Sequence, residues 1–281
     1  MTGLHLPIED YLLTPLHAVE ADWIRSVLVS SCMRRFGFAY PAGVRPTANG
    51  TAVDPYTIMF RRYGVTEAQS VRIWGYHVPR GSGIAEKSHT VAQRKRTSSA
   101  DEVRTLTGTD PSTNSPAKAY AGRRIPSGGC AGESDSAVHH YSGTLEGSEY
   151  AGDKITSEIK EKSFAESMAD SRVRAVLARW SACMKAHGYR FADPLRAADL
   201  PSMGAPEPTS AEIVQAETDV ACKAKTNVVG VWFAVESAYQ RSEIKTNSEK
   251  LGEVKEQRKV EAADIQRLFR SLSASHAMPT R

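Results

Sequence analysis

Between Ser171 and Gln240 the apolar positions recur with helical spacing, and this stretch organises the chain. Val173, Val176, Leu177, Trp180, Cys183 and Met184 fall at three- and four-residue steps behind Asp170, a good N-cap, so they share one face of a helix. Gly188 supplies the stop. A Pro-rich connection, Pro194 to Pro208, leads to Thr209, which with Glu212 three residues on reads as a capping box. Ile213, Ala216, Val220 and Ala224 continue on a second helix. Antiparallel packing of the two would bring Cys183, near the end of the first, to Cys222, about three turns into the second.

The same periodicity predicts further helices. One starts near His17 and runs to Cys32, carrying Val19, Trp23, Val27 and Leu28, preceded by an extended arm over residues 1–20. A short helix capped by Thr66 runs through Ser70, another holds Val103 and Leu106, a third spans Glu133 to Tyr141, and a fourth spans Ile155 to Met168. Val228 to Val235 is apolar nearly all round, as for a helix buried at the centre of a bundle. After Ile244 the chain is charged and helix-prone, with a thin stripe of Leu251, Val254, Ala262, Ile265, Leu268 and Phe269. That stripe either packs along the body or extends as an arm for a partner.

The expected fold is therefore mainly α: a disulfide-stapled helical bundle with long irregular loops and a long C-terminal helix. The expected organisation is a helical body over 1–244 with a mobile polar excursion around 80–120, a helical extension over 245–272 and a disordered tail over 273–281.

Four cysteines, at 32, 130, 183 and 222, include no C-x-x-C pair, which is unlike the two close pairs of a four-thiolate zinc site. Two disulfides in an exported protein fit better than buried free thiols. An internal repeat suggests the pairing. Cys32-Met33-Arg34-Arg35-Phe36-Gly37-Phe38-Ala39-Tyr40 matches Cys183-Met184-Lys185-Ala186-His187-Gly188-Tyr189-Arg190-Phe191 in the register Cys-Met-basic, then Gly-aromatic-x-aromatic. If the copies are equivalent, each first cysteine takes the next downstream, giving Cys32 with Cys130 and Cys183 with Cys222. In both copies the glycine reads as a helix C-cap, with the following aromatics folding back over the helix end.

Composition narrows the function classes. With 281 residues and 41% hydrophobic content the chain can bury a sizeable core, and 36 basic against 32 acidic residues give only +4, without the one-sided field of a nucleic-acid or anionic-membrane binder. No run of eighteen apolar residues exists, so no transmembrane segment is expected. The first residues carry no basic, apolar leader, which leaves a cytoplasmic protein or a mature secreted one; the cysteines favour secretion or the cell envelope. Arg94-Lys95-Arg96 reads as a solvated loop, and His139 and His140 as surface residues, so no metal ligand is assigned.

No G-x-S-x-G, H-E-x-x-H or P-loop is present, no catalytic residue stands out and no cofactor is implied. The expectation is a non-catalytic extracellular or envelope protein that binds a protein partner through the C-terminal helix or the polar middle. The alternative is a small-ligand or enzymatic pocket at Glu236, flanked by Trp232, Tyr239 and Asn227. Against that stands a plain structural role, in which Glu236 is a buried carboxylate paired with Arg62 or Arg179.

Several stretches together carry a resemblance. They are Leu6-Pro7, the first cysteine motif through Phe38, Arg62-Tyr63-Gly64-Val65, Gly75-Tyr76-His77, Gly128-Gly129-Cys130, Trp180-Ser181-Ala182-Cys183-Met184, Asp219-Val220-Ala221-Cys222-Lys223, Thr226-Asn227 and Tyr239-Gln240. Over most of its length the chain resembles an uncharacterised family of predicted exported proteins or lipoproteins of filamentous actinobacteria. The resemblance implies export and brings no catalytic residue or substrate with it. The sequence differs from that pattern in having no leader and no lipidated cysteine near its start, so membrane anchoring is not expected.

Overall fold

The computed structural model describes residues 3–46, 57–79, 98–138 and 154–276. These are mainly helical, as the periodicity predicts: α1 (Pro15–Arg35), α2 (Ala68–Trp74), α3 (Ala100–Thr107), α4 (Gly129–Ala137), α5 (Lys154–Ala169), α6 (Ser171–Ala186), α7 (Ser210–Thr226), α8 (Val228–Thr246) and α9 (Ser248–His276). Two-residue strands β1 (Ala119–Tyr120) and β2 (Arg123–Arg124) form a small antiparallel ribbon. Among the described residues no helix is long and apolar enough to cross a membrane. The basic run at 94–96, His139 and His140, and residues 80–97 of the expected mobile segment lie outside the described residues.

Local chemistry sets the helix starts. Thr14 caps α1 by accepting from the His17 N–H at 3.3 Å, and Pro15 occupies a first-turn position whose missing N–H costs nothing. The expected extended arm therefore gives way to a short 3₁₀ helix, Pro7–Tyr11, and an earlier start for α1. Asp170 caps α6 through the Arg172 N–H at 2.8 Å, and Thr209 caps α7 through the Glu212 N–H at 3.2 Å. Only half of the expected capping box forms there, because the Glu212 carboxylate is engaged elsewhere.

The chain divides into two compact units that interleave along the sequence. The first is drawn from the described residues of Met1–Tyr11, Thr57–Ala85 and Gly152–Glu253, the second from those of Leu12–Tyr56, Glu86–Ala151 and Val254–Arg281. The expected body over 1–244 and extension over 245–272 do not follow this division. It falls inside α9, and residues 98–124 of the polar middle contribute α3 and the ribbon to the second unit.

In the first unit, Trp180 and Trp232 are fully buried among Val173, Val176, Met184, Ala216 and Val228, while Val231 is only partly buried. Leu6, Ile8, Ile159 and Leu251 form a second cluster there. In the second unit, Trp23, Ile24 and Val27 of α1 pack with Ile265, and Phe269 meets Trp23 edge-on at 5.1 Å between ring centroids. The stripe on α9 thus packs into these clusters.

Each unit holds one copy of the repeat and one disulfide. Cys32 is joined to Cys130 with 5.6 Å between Cα atoms, and Cys183 to Cys222 with 5.8 Å, the pairing the repeat suggests. For loops of 98 and 39 residues the chain-entropy model assigns upper values of about 4.7 and 3.9 kcal/mol. The helix ends are built alike. The Phe38 N–H bonds the Met33 carbonyl at 3.1 Å and the Tyr189 N–H bonds the Met184 carbonyl at 3.0 Å, around Gly37 and Gly188 at φ 85° and 91°. A Cβ on Gly188 would meet nothing within 4 Å, so only the backbone conformation demands glycine. Gly188→Ala is expected to cost about 1 kcal/mol of stability, read from the denaturant midpoint of the first unit's transition.

One expectation is corrected. Cys222 lies in the last turns of α7, so α6 and α7 meet at their C-terminal ends rather than as an antiparallel hairpin. The connection then returns along α7. Gln215 Nε2 donates to the Ala197 carbonyl at 2.9 Å, and Ser202 Oγ donates to Glu212 Oε2 at 2.8 Å, so later residues of the connection meet earlier ones of the helix.

Candidate functional site

Three buried polar clusters lie in the first unit, and the sequence-predicted residues fall in or beside them. α8 supplies Glu236 from a buried face it shares with Val229, Trp232 and Gln240, with 0% of its surface exposed. Arg62 Nε donates to Glu236 Oε1 at 2.8 Å, and Arg62 Nη2 donates to the same oxygen and to the Lys160 carbonyl, the latter at 2.9 Å. The Tyr63 hydroxyl donates to Glu236 Oε2 at 2.7 Å, and the Arg62 guanidinium lies 4.7 Å from the Phe164 ring centroid. Gln240 Nε2 bridges Glu236 and Ser163 at 3.3 and 3.1 Å, while its Oε1 accepts from the Ile8 N–H at 3.1 Å. Both carboxylate oxygens are therefore engaged within the protein. Burial, then the adjacent carboxylate, pushes the Tyr63 phenol far above its ordinary value, so it stays a donor.

This is the closed ion pair with Arg62, one of the two partners foreseen. The other residues of the expected pocket turn elsewhere. Trp232 Nε1 donates to Ser167 Oγ at 2.8 Å, and the Tyr239 hydroxyl donates to Asp170 Oδ2 at 3.3 Å. Asn227, in the left-handed conformation at φ 56°, joins α7 to α8 and lays its side chain over Gly230. The side chains of Trp232, Glu236 and Tyr239 thus hydrogen-bond different partners.

The second cluster was not foreseen. Lys223 Nζ, 2% exposed, donates to Asp219 Oδ2 at 2.9 Å and to the Val65 carbonyl at 2.8 Å. Trp180 Nε1 donates to Asp219 Oδ1 at 2.9 Å. Burial pushes the Lys223 ammonium down against the opposing pull of Asp219, and it pushes the Asp219 carboxyl up against the pull of Lys223. Gly64 makes this approach possible: at φ 77°, a Cβ there would lie 2.7 Å from Lys223 Nζ. The signal in the sequence was a charged pair at i and i+4, the same spacing that on a solvated helix marks a surface pair.

The third cluster takes the carboxylate of the half-formed capping box. Glu212 Oε1 accepts from the Tyr76 N–H at 3.0 Å and from His77 Nδ1 at 2.8 Å, and Oε2 accepts from Ser202. His77 Nε2 meets the Ala205 carbonyl at 3.0 Å, so the ring spans two acceptors. Burial raises the Glu212 carboxyl, but Ser202, His77 and the Tyr76 N–H together outweigh it and leave it below the ordinary carboxylate value. A carboxyl lowered in the folded state contributes stability that is present above its unfolded value of about 4.3 and lost as pH falls through the folded value. Glu212→Gln is therefore expected to flatten the acid side of the stability profile; an unchanged slope below about pH 4.3 would remove Glu212 from that linkage.

For metal chemistry, one group of three donors converges among the described residues: Cys183, His187 and Cys222, whose ligand atoms lie within 4.8 Å of one another. Both sulfurs are committed to the disulfide. No family model, curated protein or solved structure matches the chain.

Proposed function

We propose that this chain is a non-catalytic exported or cell-envelope protein that acts by binding a protein partner. The pair of disulfides carries the reading, since one bridge staples each unit and no free cysteine remains. Two further points support it: the resemblance to exported actinobacterial proteins, and the internal saturation of Glu236 and Glu212, which leaves neither carboxylate with an idle oxygen for substrate. Alkylation of denatured protein from its native source should find no reactive thiol. Four would reject export.

The partner surface is then the outward face of α9. Leu251 and Ile265 point into cores, while Val260 is 65% exposed beside Glu256 and Lys259. Removing residues 245–281 would strip both cores, so truncation cannot isolate a binding role. Val260→Asp is the cleaner variant, with helical content expected to be kept and crosslinking to the native partner reduced. Undiminished crosslinking would take α9 out of the interface.

A further inference from the structure

The two copies of the cysteine motif differ at one chemically telling position. Where the first copy has Phe36, the second has His187, the C-cap of α6, four residues after Cys183. The surroundings differ too. Cys32 and Cys130 are 3% and 0% exposed, whereas Cys183 is only partly buried and His187 is exposed. The second bridge is thus open to solvent on the side where an imidazole stands.

We propose that opening the Cys183–Cys222 bridge creates a site for a thiophilic metal ion of the Zn²⁺ class, with Cys183 Sγ, Cys222 Sγ and the His187 imidazole as ligands. Two thiolates and one imidazole are a donor set suited to tetrahedral zinc. With zinc–sulfur bonds of about 2.3 Å, the two sulfurs must stand about 3.8 Å apart, and the three donor atoms already lie within 4.8 Å of one another. Side-chain rotation is enough to reach that arrangement from a Cα separation of 5.8 Å. The fourth position opens toward solvent on the His187 side and takes water.

The scaffold does not depend on the bridge alone. One turn before each cysteine, Trp180 on α6 donates to Asp219 on α7 at 2.9 Å, and Met184 is buried in the same core. The helix ends therefore remain docked when the sulfurs part, and the metal replaces one cross-link by another. The first bridge has Phe36 at the matching place, and among the described residues no such donor group gathers there. The proposal stands independently of the export reading, because it concerns the reduced chain wherever reduction occurs.

Opening needs a reductant, and a water-soluble phosphine serves as the probe. Phosphorus gives two electrons to the sulfur–sulfur bond, and one water supplies the oxygen of the phosphine oxide and the protons of the two thiols. Metal binding then releases the thiol protons. The experiment uses the full chain under anaerobic conditions, with Zn²⁺ titrated against a chromophoric chelator and Co²⁺ as an optical substitute. The expected result is one Zn²⁺ per reduced chain, none per oxidised chain, and thiolate-to-Co²⁺ charge-transfer absorption that Cys32→Ser/Cys130→Ser retains. His187→Ala, an exposed change that does not threaten the fold, should weaken Zn²⁺ binding by more than about 100-fold, beyond what changes outside a ligand set cost. Equal Zn²⁺ affinity in reduced His187→Ala, equal binding by the oxidised chain, or a helical signal lost on reduction and not restored by Zn²⁺ would each overturn the proposal.

Discussion

Glu236→Ala is expected to destabilise the first unit by about 3–5 kcal/mol, because it strands a guanidinium that is largely buried. At roughly 2–4 °C per kcal/mol for a unit of this size, thermal unfolding should fall by about 6–20 °C. The cost has three parts: Arg62 loses the carboxylate it is paired with, the Tyr63 hydroxyl loses its acceptor, and Gln240 loses one of its partners. The double change Arg62→Met/Glu236→Leu removes both charges and keeps apolar volume, so it should recover most of the loss. Full-length protein melted by circular dichroism, singles beside the double, provides the measurement. A neutral Glu236→Ala would mean that the carboxylate is not holding the fold, and the ligand-pocket reading would return.

What the sequence disclosed depended on how local the determining interactions are. The repeat around Cys32 and Cys183 disclosed both helix ends and both disulfides, since a C-cap is written within a few residues and the duplicate fixed the pairing. The sense in which α6 meets α7 was not legible, because the contacts of residues 194–202 that carry the connection back along α7 are made by side chains with no periodic signature. Glu236 announced itself as a carboxylate directly after the apolar run Val228 to Val235. Its partner did not, since Arg62 lies 174 residues away and Arg179 was as good a candidate on charge alone. The division into two units was hidden for a related reason: each gathers separated segments, and α9 shows one continuous stripe across the point of division. The glycine in Arg62-Tyr63-Gly64-Val65 became intelligible only with the Lys223 ammonium placed against it.

Asp219→Ala should cost the first unit about 3–5 kcal/mol at neutral pH, and the deficit should shrink as the solution is made alkaline. In the native chain burial already lowers the Lys223 ammonium, while Asp219 holds it up. Removing the carboxylate leaves Lys223 with the Val65 carbonyl as its remaining bond and drives its folded-state value lower still, while the unfolded value stays near 10.4. Between those two values the unfolded chain binds more protons than the folded one, so stability rises with pH across the window. Trp180 Nε1 also loses its acceptor, and that part of the cost does not titrate. Denaturant midpoints for Asp219→Ala and the native chain at about pH 7 and about pH 9.5 separate the two contributions. A gap that narrows at the higher pH assigns the larger cost to the stranded ammonium; a constant gap would assign it to the indole and refute the ion pair as the element that fixes α7 against the 57–79 segment.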